Sequence, residues 1–265
     1  MKPKMIVLDL DGTTLNNKKI LEPELGDYLQ ELRSRGILVC VATGRTIYET
    51  YYSFPKDFQI DGMINSNGMC VSVNDVEILK HSILPTTVTK LIEESLKYEI
   101  HHEIHHHDGR TSATISPMRE RAHELTNHGY LNPVWTEEIH SEDVEKILFF
   151  KSEADIIQKW LNRLNELQQN LGFTAALSSP DLIDISGPLI TKATGANAIL
   201  DHVGLEFYDV IAFGDGGNDV PLFKKAGRSV AMANAPDWVK KQATEITEFS
   251  NNEQGLLKHL QLIFE

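Results

Sequence analysis

Asp9 and Asp11 stand two residues apart just after the apolar run Met5-Ile6-Val7-Leu8, and Asp215 and Asp219 lie in Gly214-Asp215-Gly216-Gly217-Asn218-Asp219, after a second strand-like run. A two-residue spacing in extended chain points both side chains of the first pair toward one side. Carboxylates about 4 Å apart repel by roughly 4 kcal/mol at a surface-like dielectric of ~20, so such a pair calls for a cation or a shared proton. All-oxygen donors favour magnesium. Thr43-Gly44-Arg45 offers a hydroxyl and backbone amides suited to a phosphoryl group. Lys192 adds a cation able to neutralise charge developing on a transferred phosphoryl group, and Asn218 an amide close to a helix start. The chemistry these residue types suit is the handling of a phosphate ester beside a hard divalent ion.

Short parallel strands are the elements that would place them. Ile6 to Leu10 reads as a buried strand, and Leu21, Leu25, Tyr28, Leu29 and Leu32 recur at helical spacing, with Pro23 near the start and Gly36 as a stop. Ile37 to Ala42 is the next strand. This order predicts a parallel βαβ unit covered by helices. It returns near the C-terminus, with strands at Tyr208 to Phe213 and Ser229 to Ala233 and helices at Val220 to Ala226, Pro236 to Ala243 and Leu256 to Ile263. The acidic, hydroxyl and acidic-amide clusters each follow such a strand, where ligands of open α/β sheets bind.

Between these stretches the pattern changes. A hairpin is expected from Met69 to Leu79 and a helix from Thr86 to Tyr98. Strands at Ile100 to His107 and Arg110 to Ile115 would join across Asp108-Gly109, a favoured tight-turn pair. A polar helix from Arg119 to Asn127, a strand from Lys146 to Lys151, a helix from Ala154 to Leu171 and short strands near Ala175 and Ile183 follow. The fold class expected is α/β, a doubly wound, mostly parallel sheet with an inserted α+β domain. The core would be discontinuous, residues 1–81 and 188–265, and the insert would span 82–187.

The 265 residues are 41% apolar and 24% charged, ordinary for a globular chain. A net charge of −13 without a concentrated basic patch argues against nucleic acid as partner. No apolar stretch of membrane-spanning length is present and the N-terminal run is too short for a signal peptide, so no membrane role and a cytoplasmic location are expected. Cys40 and Cys70 lack metal-ligand spacing and read as ordinary thiols. The oligomeric state is not legible.

Taken together, Asp9-Leu10-Asp11-Gly12-Thr13, Thr43-Gly44-Arg45, Lys192 and Gly214 to Asp219 resemble the four motifs of the haloacid dehalogenase (HAD) superfamily. The insertion between the second and third motifs, with Val230-Ala231-Met232-Ala233-Asn234-Ala235, resembles the Cof-type, sugar-phosphatase-like branch. One local departure is that Ala193 follows Lys192 where many relatives carry glycine. The resemblance implies a phosphoric monoester hydrolase acting on a small phosphorylated metabolite, such as a sugar phosphate, through an aspartyl-phosphate. It implies Asp9 as nucleophile and magnesium ligand, and Leu10 as a backbone donor to phosphate. Asp11 would ligate magnesium through its carbonyl and act as general acid and base through its side chain. Thr43, Gly44, Lys192 and Asn218 would hold phosphoryl oxygens. Asp215 would complete the metal site, with Asp219 as a further ligand or a support, and the insert would be a cap that excludes water and selects the leaving group.

Other readings fit the same residues. A phosphomutase would use the same residues, and a non-catalytic phosphometabolite-binding protein the same fold. A dinucleotide-dependent dehydrogenase is disfavoured because the first strand leads into Asp-Gly-Thr instead of G-x-G-x-x-G. His101, His102, His105, His106 and His107 read as a solvated strand, a substrate-contacting one or a metal site. Arg45 either binds substrate phosphate or anchors its loop, and Trp135, Trp160 and Trp238 read as packing residues.

Overall fold

A computed structural model describes residues 2–113, 135–136, 138–179 and 181–265. The chain divides into two compact units, Met1–Lys80 with Thr191–Glu265, and His81–Ile190.

The first unit holds an eight-stranded sheet. Its strands are β1 (Met5–Leu8), β2 (Leu38–Ala42), β3 (Gly62–Asn65), β4 (Cys70–Val73), β5 (Val76–Lys80), β12 (Val210–Gly214), β13 (Arg228–Ala231) and β14 (Glu245–Ile246), in the order β14-β13-β12-β1-β2-β3-β4-β5. Pairings from β14 to β3 are parallel, and β3-β4 and β4-β5 are antiparallel. Leu8 faces both Phe213 and Val41, so β1, β2 and β12 end level with one another. That alignment is what brings residues 9, 43 and 215 to one edge.

Alternation along β1 divides the packing. Ile6 and Leu8 join Leu25, Leu29 and Leu32 of α1 (Pro23–Ser34) and Leu257 and Leu260 of the C-terminal helix α8 (Gly255–Phe264). Met5 and Val7 join Ala193, Ala196 and Ile199 of α5 (Lys192–Val203) on the other face. Strand β1 is thus apolar on both sides, as a strand of a doubly covered parallel sheet requires.

Several boundaries differ from expectation. The first strand stops at Leu8 because the Leu10 carbonyl accepts N–H bonds from Thr14 at 3.1 Å and Leu15 at 2.9 Å, folding Asp9 to Leu15 into a turn. The helix after Asn218 is one turn, α6 (Val220–Phe223), and the next is α7 (Asp237–Lys240). Strand β3, helix α2 (Ile47–Tyr51) and α5 were not anticipated. Asn74 and Asp75, with φ of 48° and 63°, form the β4-β5 hairpin turn.

In the second unit six strands lie in the order β10-β11-β9-β6-β7-β8: β6 (His101–His106), β7 (Thr111–Ala113), β8 (Trp135–Thr136), β9 (Val144–Phe150), β10 (Thr174–Ser179) and β11 (Leu182–Ser186). Helices α3 (Pro85–Lys97) and α4 (Ala154–Leu171) accompany them, and Trp160 stands edge-on to Phe149 at 5.2 Å between ring centroids. Gly109, at φ 84°, turns β6 into β7. The histidines split by register. His102 pairs with Phe149, while His101, Glu103 and His105 pair with Phe150, Leu148 and Lys146 on the other face. The helix expected at Arg119 to Asn127 and the side chain of Trp135 lie outside the described residues. Among the described residues, no helix is long and apolar enough to cross a membrane.

Candidate active site

Asp9 leaves the end of β1 almost completely buried, and Lys192 reaches it from the first turn of α5. The Lys192 ammonium is 0% exposed and donates to Asp9 Oδ1 at 2.5 Å and to Asp219 Oδ1 at 2.6 Å. A cation at a helix N-terminus opposes the helix dipole, so this lysine sits where helix stability alone would not put it. Two features hold it there. Thr191 and Thr194 form a reciprocal capping box that starts α5 at Lys192. Gly195, whose added Cβ would lie 2.4 Å from Ile64 Cγ2, lets the helix close against the sheet.

Asp219 Oδ2 accepts the backbone N–H groups of Asp215 at 3.0 Å and Gly216 at 2.9 Å. A Cβ on Gly214 would lie 2.2 Å from Asp219 Cγ, so the glycine is what admits the carboxylate. Asp215 in turn accepts the Thr13 hydroxyl at 3.4 Å and the Asn234 amide at 3.3 Å. Gly12, at φ 79°, passes close enough that a Cβ there would lie 2.2 Å from Asp215 Oδ2.

Potential ligand oxygens of Asp9, Asp215 and Asp219 lie within 4.8 Å of one another. Burial pushes the Asp9 carboxyl well above the usual range, and Asp219 and Asp215 add to this against the pull of Lys192. Burial, with Asp219 beside it, raises Asp215 to about 6. For Lys192, burial works against the charge, but Asp219 and Asp9 reverse it and hold the ammonium above its ordinary value. Fully ionised, the three carboxylates would exceed the one ammonium by two negative charges, and burial and mutual repulsion oppose that state at Asp9 and Asp215. A divalent hard cation fits that excess and this all-oxygen donor set.

Asp11, so close in sequence, is placed differently. Arg45 grips it bidentately, Nε to Oδ2 at 2.8 Å and Nη2 to Oδ1 at 2.7 Å, and Lys19 Nζ adds a contact at 2.6 Å. Although burial opposes ionisation, these cations hold the Asp11 carboxyl well below the usual carboxylate range. Its side chain is absent from the three-carboxylate group. The resemblance gives Asp11 to the metal through its backbone carbonyl, a role that does not require its side chain in that group.

The remaining sites of the sequence reading gather on the same edge. Thr43 is buried, its Oγ1 accepts the Arg45 N–H at 3.1 Å, and among the described residues its own proton has no acceptor. Leu10 buries its side chain in the core, leaving its backbone as the polar part. Asn218 Nδ2 donates to Asn67 Oδ1 at 2.9 Å, and Asn67 also stands beside Gly44. Asn67 and Asn234 were not anticipated as site residues. Asn234 donates to Gly12 O at 2.8 Å and accepts Asn251 N–H at 3.0 Å, tying the Gly12 turn to Asp215. The signal for Asn67 was the turn-forming Ser66-Asn67-Gly68 after the apolar Met63-Ile64. Trp238, more than half exposed, lies with its ring against Gly217.

The pattern of the haloacid dehalogenase-like hydrolases matches residues 6–260. The chain is 26% identical to the 5-amino-6-(5-phospho-D-ribitylamino)uracil phosphatase YcsE of Bacillus subtilis, over 96% of this chain and 93% of that one. It is 28% identical to a phosphoglycolate phosphatase of Methanopyrus kandleri, over 98% and 97% of the two chains. A crystal structure of a haloacid dehalogenase-like hydrolase from Bacteroides thetaiotaomicron superposes with a TM-score of 0.84 at 25% identity, covering 99% of this chain and 100% of that one.

Proposed function

We propose that this chain, which belongs to the haloacid dehalogenase-like hydrolases and to their Cof-type branch, is a magnesium-dependent phosphatase that works through an aspartyl-phosphate on Asp9. It is a phosphoric monoester hydrolase acting on phosphorylated small molecules. The observation that carries this reading is the buried Asp9-Lys192-Asp219 bridge beside Asp215, where three carboxyl groups share one ammonium.

Asp9 and Asp215, with the Asp11 backbone carbonyl, would hold magnesium, which when bound supplies positive charge against the phosphoryl oxygens. Asp219 already accepts three hydrogen bonds and serves mainly to fix Lys192 and the Asp215 loop. Thr43, the Gly44 and Leu10 backbone, Lys192 and Asn218 would orient the phosphoryl group. An Asp9 carboxylate oxygen attacks phosphorus, the ester P–O bond breaks in line, and the leaving oxygen takes a proton from Asp11. Water then gives a proton back to Asp11 and attacks phosphorus. The P–O bond to Asp9 breaks, releasing inorganic phosphate and restoring the carboxylate.

For Asp11 to carry that proton it must part from Arg45 and Lys19, which hold it ionised. A phosphate ester is itself a bidentate partner for a guanidinium, so substrate would compete for Arg45 and release Asp11. The unit His81–Ile190 is read as the cap that selects the leaving group.

Phosphate release should be measured from sugar phosphates, 5-amino-6-(5-phospho-D-ribitylamino)uracil and phosphoglycolate, with magnesium or with chelator, for the native protein and Asp9→Asn. Magnesium-dependent release that disappears in Asp9→Asn is expected. Release that persists in the variant would eliminate the covalent step, and release in chelator would eliminate the metal.

A further inference from the structure

Residues Ser66, Asn67 and Gly68, at the carboxyl end of β3, have φ of 46°, 57° and 110°, so two non-glycine residues in succession occupy the left-handed region. Asparagine tolerates this conformation and serine does so poorly. Ser66 is also buried, with no hydrogen-bond partner for its hydroxyl among the described residues. Strain of this kind persists where surrounding contacts impose it, and it is concentrated at functional sites.

Two backbone bonds impose it here. Ser66 N–H donates to Arg45 O at 2.8 Å and Asn67 N–H to Thr43 O at 2.9 Å, so the turn is clamped onto the Thr43-Gly44-Arg45 loop. The clamp places the Asn67 amide between two segments that share no strand. Its Oδ1 accepts from Asn218 Nδ2 at 2.9 Å, and its Nδ2 lies 3.5 Å from the point a Gly44 Cβ would occupy. Fixing the oxygen on Asn218 directs the two N–H bonds of Nδ2 away from it. Nδ2 finds no protein acceptor among the described residues, beside a loop built to receive an anion.

We propose that Asn67 is a further phosphate-binding residue, donating from Nδ2 to an oxygen of the phosphoryl group held over Thr43 and Gly44. This rests on the phosphatase reading of the site. Asn218 is then a double contact, positioning Asn67 with one N–H and leaving the other for the substrate.

Asn67→Asp keeps size and the acceptor for Asn218 but turns the donor into an anion. Asn67→Gly removes the amide and relieves the left-handed backbone. Binding of inorganic phosphate in the presence of magnesium, by calorimetry, should weaken about 10- to 100-fold in Asn67→Asp and about 10-fold in Asn67→Gly. KM for a hydrolysed ester should rise in parallel, with the thermal midpoint of Asn67→Gly equal to or above that of the native protein. Phosphate affinity within twofold of native in both variants would overturn the proposal. So would a fall in kcat at unchanged phosphate affinity, which is what a residue that merely positions Asn218 would give, or the absence of phosphate binding by the native protein. A native protein that binds phosphate but hydrolyses no ester would count against the phosphatase reading alone, and the affinity comparison would still decide the role of Asn67.

Discussion

The carboxyl edge of the eight-stranded sheet and the histidine-bearing strand of the six-stranded sheet both take ionisable groups out of water, with opposite consequences for their charge. At the edge, Lys192 is buried and kept charged by Asp9 and Asp219, and three carboxyl groups crowd around that one ammonium, with Asp9 and Asp215 raised above their usual range. In the other unit His102, 3% exposed and paired across the strands with Phe149, is driven to a pKa of about 4 by burial, aided by His101. It is therefore neutral near pH 7. Protein interiors ordinarily neutralise what they bury. A buried cluster that keeps its ammonium charged and crowds three carboxyl groups around it is prepared for a further cation, which is the pattern of a working site.

Substitutions that abolish one treatment of charge without touching the other sharpen this contrast. The largest effect belongs to Asp9→Asn, for which turnover should fall at least about ten thousand-fold, as for loss of a covalent nucleophile, while the folded state is retained. Quenched-flow trapping of the phosphoryl-enzyme would check it. Lys192→Met leaves Asp9 and Asp219 facing one another. A loss of about 3–5 kcal/mol in urea unfolding without magnesium is expected, with much of it recovered when magnesium is added. If magnesium gives no recovery, the cluster is not a cation site.

The histidine strand should respond to acid and not to metal. Because the folded-state pKa of His102 is depressed, its contribution to stability is present above about pH 6.5 and is lost as pH falls toward 4. Replacement by glutamine should remove up to about 3 kcal/mol of that acid-dependent loss, measured as the difference in unfolding free energy between pH 7 and pH 4. Asp215 behaves with the other sign. Its pKa is raised to about 6, so metal-free protein is stabilised by its proton below about pH 4 and loses that stability as pH rises through 6. Native protein should lose about 1–2 kcal/mol more than Asp215→Asn across that window, a figure reduced for the solvent contact of Asp215, and magnesium should abolish the difference. A difference unaffected by magnesium would break the comparison.

The apolar runs around Val7, Val39 and Ile211 made the parallel strands legible, because a strand covered on both faces is a continuous apolar segment bounded by turn residues. Strand β3 escaped notice, since Gly62-Met63-Ile64-Asn65 is four residues long and sits between two polar turns. The one-turn helices α6 and α7 looked longer because Ala226 and Ala243, which pack against the core, extend the helical spacing past Phe223 and Lys240 into turns. Asp9, Asp11 and Asp215 stood out by their place after such runs. Asn67 and Asn234 did not, because an asparagine in a turn is commonplace and nothing local tells which amide meets a partner from 151 residues away, as Asn67 does with Asn218.

Residue order by itself determined the strand-turn-helix grammar, the family and the identity of the acidic, hydroxyl and amide groups at strand ends, because these follow from short-range periodicity and spacing. Tertiary structure alone decided how two aspartates two positions apart would differ. Asp9 is enclosed by Lys192, Asp215 and Asp219 from the far end of the chain, while Asp11 is turned out onto Arg45 and Lys19. The sign of a carboxyl group's pKa shift depends on what encloses it, and those neighbours are set by strand order and register, which no local window of sequence contains.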